Sequence, residues 1–201
     1  SGGGWIKLRA QQLRVDGVIT ADGDAASRDC CLPLSAAGNG SGGSINVRSE
    51  ALEGRGVLRA NGGDSSGNGG GGGRIAIRYT DKSGFAGTVQ ARGGRNSGGA
   101  GTIYWQQSNE SLGTLVVDNG GVDTFDGSTL LSSPAPIALN EFFIGGAARV
   151  DASNSLVGSS ANDYVGSGIT ALANGNYTEP AGESVKDLVA AGLQKWPDDQ
   201  E

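Results

Sequence analysis

The sequence predicts an all-β chain, a glycine-rich parallel β-helix or β-solenoid, on three observations. Glycine makes up 38 of 201 residues, against an average near ~7 %. Four segments repeat a glycine lead followed by a strand with alternating apolar residues. Three of the four then repeat a second short strand, in which a large apolar residue alternates with alanine.

The first strands are Gly4-Trp5-Ile6-Lys7-Leu8-Arg9, Gly43-Ser44-Ile45-Asn46-Val47-Arg48, Gly73-Arg74-Ile75-Ala76-Ile77-Arg78 and Gly101-Thr102-Ile103-Tyr104-Trp105-Gln106. Their period of two marks strands with one buried face. Ile6, Ile45, Ile75 and Ile103 recur at intervals of 39, 30 and 28 residues. The second strands centre on Ile19 and Ala21, Leu58 and Ala60, and Val89 and Ala91, with residues 114–120 as the fourth copy. One copy cannot bury its own apolar face, so copies are expected to stack in register and align the isoleucines into one buried row. The alternative architecture is an antiparallel β-sandwich, whose hairpins give the same alternation. The glycine run at residues 67–73 also suits polyproline II or a disordered tract.

The predicted organisation is a repeat region at residues 1–121 and an atypical cap at residues 122–201. In the second part, residues 138–146 and 148–151 read as strands around Phe142 and Phe143. A short helix is expected over residues 183–195, with Ser184 as its N-cap and Pro197 as its stop. The start at Ser1, inside a glycine-rich stretch, is expected of a processed product or an excised fragment.

Composition narrows the chemistry. Fifteen Lys and Arg against 21 Asp and Glu leave a formal charge of −6, which disfavours a nucleic-acid partner. No apolar run reaches the ~18 residues of a membrane helix. The absence of histidine removes Ser-His-Asp and Cys-His nucleophilic sites, His-ligated zinc and His acid–base chemistry. Glu50 with Glu53, and Asp123 with Asp126, are close enough in sequence to pair but read better as solvated turn residues. The chain is therefore expected not to be an enzyme.

Several residues stand out as candidates. Arg9, Arg48 and Arg78 recur at one outward position, suited to an acidic sugar, to another chain's carboxylates, or simply to a solvated face. Asp118, Asp123 and Asp126 lie in an oxygen-rich, glycine-flexed loop that suits calcium, without the EF-hand spacing; a plain Asx-rich turn is the competing reading. Cys30 and Cys31 are adjacent, open to a vicinal disulfide, two free thiols or a bond to another chain. Asn39, Asn109 and Asn176 head N-x-S/T sequons.

Residues 42–48, 56–63 and 71–79 resemble the glycine-rich repeat regions of large secreted and cell-surface proteins, mainly bacterial, which look like parallel β-helices. The resemblance covers roughly residues 1–121. It implies a stalk, adhesin or extracellular scaffold and carries no catalytic residues. The expected function is thus a structural or adhesive module outside the cell, such as a filament or scaffold subunit, partnered by other protein chains or by extracellular polysaccharide. Two further classes remain open: a carbohydrate-binding module using the arginines with Tyr79, Tyr104 or Trp105, and a fragment of a polysaccharide-active β-helix enzyme. No cofactor is expected beyond calcium.

Overall fold

The computed structural model describes residues 1–26, 38–65, 68–124, 127–131 and 137–152, together with the short strands at 156–158, 164–165 and 170–173. The strands in chain order are β1 (Trp5–Arg14), β2 (Val18–Thr20), β3 (Ser44–Glu53), β4 (Val57–Arg59), β5 (Arg74–Asp81), β6 (Thr88–Gln90), β7 (Thr102–Gln107), β8 (Thr114–Asp118), β9 (Thr129–Leu131), β10 (Ile137–Leu139), β11 (Glu141–Gly145), β12 (Arg149–Ala152), β13 (Leu156–Gly158), β14 (Tyr164–Val165) and β15 (Thr170–Ala173).

They form a seven-stranded sheet in the order β1-β3-β5-β7-β8-β11-β14, two three-stranded sheets, β2-β4-β6 and β15-β12-β9, and the pair β10-β13. In the large sheet β1, β3, β5 and β7 run parallel and in register. Ile6 lies opposite Ile45, Ile45 opposite Ile75, and Ile75 opposite Ile103. Ile19, Leu58 and Val89 align in the same way across β2, β4 and β6. These two rows face one another and form the first core, with Ile45, Val47, Leu52, Leu58, Ile75 and Ile77 almost fully buried.

The space between the two sheets is narrow, and glycine and alanine make it so. The carbonyls of Ala21, Ala60 and Ala91 accept hydrogen bonds from the N–H groups of Gly43, Gly73 and Gly101 at 2.7, 2.7 and 2.6 Å. A Cβ on Gly42 or Gly72 would run into the carbonyl oxygen of Ala60 or Ala91. The backbone crossing therefore needs glycine at these positions for room. Residues 68–73 of the glycine run take part in this hydrogen-bonded crossing, with Gly72 donating to Gly99 O at 2.9 Å.

The structure corrects the fold expected from the sequence. The described residues are all-β, but their sheets mix parallel and antiparallel strands, and among them no closed solenoid forms. Residues 114–120 do not add a fourth strand beside β6. They form β8, which pairs antiparallel with β7, placing Ile103 opposite Val116 and Trp105 opposite Thr114. The 108–113 connection has the same six-residue length as the 82–87 connection that carries β5 to β6, so length permits either route. What sets this copy apart is Gln106, which stands where the earlier copies carry arginine. Gln106 fastens this turn by donating its side-chain amide to the carbonyls of Glu110 and Ser111, each at 3.2 Å. An antiparallel sandwich does not describe the chain either, because every other strand pairing is parallel.

At β7/β8 the large sheet is buried on both faces, with Val116 packing beside Ile103 on one side and Leu115 beside Tyr104 on the other. Ile103 and Trp105 pack with the first core, whereas Leu115 and Val117 on β8 join a second core with Leu139, Phe142, Ile144 and Val150. Strands β8, β11 and β14 again stack in parallel, as do β9, β12 and β15. No helix occurs among the described residues, and the helix expected at residues 183–195 lies outside them.

Candidate functional site

The outward face of β1, β3 and β5 follows directly from strand alternation. Since Ile6, Leu8, Ile45, Val47, Ile75 and Ile77 point into the core, the residues between them point out. The register places Arg9 beside Arg48 and Arg48 beside Arg78. All three are exposed. Successive arginines of the row are thus rooted about one strand spacing apart, ~4.8 Å. The neighbouring outward row begins Lys7, Asn46, Ala76, and the next begins Trp5, Ser44, Arg74.

Trp5, Lys7, Arg9, Asn46, Arg48 and Arg78 line a shallow groove of about 300 Å³ on this face. No carboxylate lines it. Trp5 is 71 % exposed, the most exposed of the large apolar residues among those described. The ion pairs of the described residues lie elsewhere: Arg14 with Asp16 at 2.6 Å, Arg59 with Asp22 at 2.7 Å, Arg95 with Asp64 at 3.1 Å, and the amino terminus with Asp24. Among the described residues Lys7, Arg9 and Arg48 have no carboxylate within ion-pair distance. Arg78 donates to the side-chain oxygen of Gln106 at 2.9 Å. Stacked like charges repel, so this row favours an external anion when one is offered.

A second concavity of about 280 Å³ opens where β6 ends its sheet. Its lining includes Lys82, Phe85, Val89, Arg92, Trp105 and Val116. It exists because β8 joins the large sheet and leaves the free side of β6 uncovered. The ammonium of Lys82 lies 4.6 Å from the centre of the Trp105 ring and 5.5 Å from that of Tyr79. Tyr79 meets Trp105 edge to face at 6.1 Å. The ring face of Trp105 is thus already engaged by the chain's own cation. Burial pushes the Tyr79 hydroxyl above its ordinary pKa, with the Glu110 carboxylate adding to the shift.

The remaining candidates are scattered. Asp118 accepts the N–H of Gly120 at 2.6 Å, as an Asx turn does, and Asp123 is exposed. Asp126 lies outside the described residues, among which no cluster of three or more metal-ligating side chains occurs. Cys30, Cys31 and Asn176 also lie outside them. Asn109 is exposed in the hairpin loop. Asn39 is half-buried; its side-chain nitrogen donates to Asn68 O at 2.7 Å and its oxygen accepts from Ala26 N at 2.7 Å. Tyr104 continues the outward row Lys7, Asn46, Ala76 on the same side of the sheet and packs there against the second core.

Two features escaped sequence reasoning. Lys7 and Trp5 complete the groove, which the alternation of β1 could have indicated. Asn119 is fully buried; it accepts the Gly93 N–H at 2.8 Å and donates to Val122 O at 2.6 Å. An Asn-Gly pair after an apolar strand reads as a turn, so nothing local marked it as a core tie between distant segments.

No protein-family model, curated protein or solved structure matches the chain. No helix among the described residues is long and apolar enough to cross a membrane.

Proposed function

We propose that the chain is a non-enzymatic structural or adhesive module of an extracellular or cell-surface protein. The observation that carries this reading is the cationic row Arg9, Arg48 and Arg78, fixed by an in-register strand ladder. Backbone hydrogen bonds and the buried isoleucines beneath it give the row a rigid base. Binding groups on rigid elements lose little freedom when they engage a partner. The lack of histidine supports a binding role over an acid–base one.

The test is attachment of the full chain to a panel of insoluble polymers, acidic and neutral, with soluble product measured in parallel. The reading expects retention on at least one polymer and no release of reducing ends or unsaturated sugars. Turnover of any polymer at substoichiometric protein would replace it with the enzyme-fragment reading.

A further inference from the structure

The ligand of the arginine face can be argued one step further, on the basis that the module is adhesive. We infer that the groove holds a linear, carboxylate-bearing polysaccharide laid across the strands. The chain of the sugar follows the row Arg9, Arg48, Arg78, and Trp5, four residues before Arg9 on β1, flanks that row.

Four observations point to this chemistry. The row offers one guanidinium per strand, all on one face and in register. A guanidinium fork binds a carboxylate through two parallel N–H donors. A polymer bearing carboxylates along its length can therefore engage several strands at once, and each further contact is intramolecular. Lys7 adds a fourth cation and Asn46 offers both a donor and an acceptor to sugar hydroxyls. Trp5, at the β1 end, exposes a ring of the kind that packs on the apolar face of a pyranose.

Nucleic acid presents the other abundant linear polyanion, and the face suits it less well. The chain carries a net charge of −6, and the strands that bear the row also bear Glu50, Glu53 and Asp81 on or near their C-terminal ends. A carboxylate polymer meets the same repulsion from these acids as a phosphate backbone does, so charge alone does not separate the two and the bases decide. Single-stranded nucleic acid needs successive aromatic platforms for its bases, and Trp5 is the only aromatic residue lining the groove.

The experiment titrates the full chain with three soluble probes: polygalacturonate, its fully methyl-esterified form, and single-stranded oligothymidylate. Calorimetry reads the binding, at low and at high salt. Polygalacturonate is expected to bind, and to weaken with salt as exposed charges are screened. The ester and the oligothymidylate are expected to bind at least about tenfold more weakly. Arg9→Gln with Arg48→Gln should weaken polygalacturonate binding about tenfold, as two exposed charge contacts of up to ~1 kcal/mol each are lost. Trp5→Ala should weaken it with less effect on the salt dependence. All these positions are exposed, and an unchanged melting temperature confirms that each variant is folded.

Equal binding of the ester, equal binding of oligothymidylate, or full binding by the double arginine variant overturns the inference. These outcomes are separable from failure of the adhesive reading. Retention on a neutral polymer alone keeps the module adhesive and removes the acidic ligand. Release of product from polygalacturonate keeps the ligand and removes the adhesive role.

Discussion

Arg78 and Gln106 are opposite one another on neighbouring parallel strands, and the Arg78 guanidinium donates to the Gln106 side-chain oxygen at 2.9 Å. Gln106 occupies the column held by arginine in the three preceding copies. Its amide does two things that arginine cannot do together. The oxygen receives the last arginine of the row, and the nitrogen closes the loop that turns β7 back into β8. One residue change thus ends the row of like charges at the strand where the parallel ladder reverses.

Replacing this residue tests the link. Gln106→Arg puts a fourth guanidinium beside Arg78 and leaves that donor without its acceptor. The expected loss is about 1–2 kcal/mol. Denaturant unfolding measures it, and amide exchange should quicken at residues 108–113 first. Wild-type stability with unchanged loop exchange would mean that the reversal does not depend on Gln106.

The isoleucine row should show a gradient of cost from its centre to its open end. Ile75 is 1 % exposed and has a neighbour on both sides, whereas Ile6 is only partly buried on the edge strand β1. Ile75→Ala is expected to cost about 2–5 kcal/mol, through lost burial and the cavity left behind. Ile6→Ala should cost clearly less. Equal costs would show that the end strand is covered in solution, for instance by a second copy; sedimentation at two concentrations would separate that case.

The contrast between these positions also shows what was legible in the sequence. Ile6, Ile45, Ile75 and Ile103 announced their alignment because a period of two leaves one face buried, and because the glycine leads fixed where each strand begins. Arg9, Arg48 and Arg78 followed from the same alternation. The reversal at β8 was not legible. Residues 114–120 close on Gly120 as the preceding second strands close on glycine, but Leu115, Val116 and Val117 run on and Asp118 stands where those strands have alanine. That change marks a departure without giving its direction, because strand patterning does not encode the direction of the neighbour. The six-residue 108–113 loop matches in length the one that joins β5 to β6, and the hydrogen bonds from Gln106 that close it into a hairpin exist only once the chain has folded. The second core was hidden for a related reason: its strands are short and lack the glycine leads that marked the first four copies.

Ser49 offers a substitution that should stabilise. It lies in the inward row at 4 % exposure, and its hydroxyl has no hydrogen-bond partner. A buried hydroxyl without a partner costs about 1–3 kcal/mol. Ser49→Ala should therefore raise the midpoint of unfolding, by up to about 1 kcal/mol once the lost atom's packing is counted. A lowered midpoint would indicate an internal water satisfying the hydroxyl.

The corner between β1 and β2 predicts a small acid sensitivity. Asp16 is held below its ordinary value of 3.8, first by the hydrogen bond from Arg14 and then by the backbone N–H of Arg55. Its folded pKa is thus lower than its unfolded one. The stability it contributes is complete above the ordinary value and is lost as pH falls through the folded value. Asp16→Asn should lower stability at about pH 6 and make little difference at about pH 2, with the gap closing below the ordinary value. Both groups are exposed, so the effect is modest and shrinks in high salt. A gap of constant size across that range would assign the loss to the hydrogen bonds alone.

The glycine run gives the sharpest test, because adjacent glycines make opposite predictions. A Cβ on Gly72 would collide with the carbonyl of Ala91 and with the backbone nitrogen of Gly101, at the crossing where Gly101 donates to that same carbonyl. Backbone atoms on both sides cannot give way without breaking the ladder. A Cβ on Gly71 meets nothing closer than Gly99 O at 3.9 Å, an ordinary contact. Gly72→Ala should therefore cost more than about 3 kcal/mol or prevent folding, through strain at a packed backbone crossing. Gly71→Ala should change stability by less than about 1 kcal/mol, and can be stabilising because alanine has fewer unfolded conformations to lose. The two single variants, compared by thermal and urea unfolding, need no further control, since each is the other's reference. If both are neutral, the two sheets are not held as closely as the alanine carbonyls require. If both are equally damaging, the run is constrained by its backbone conformation and not by the space around it.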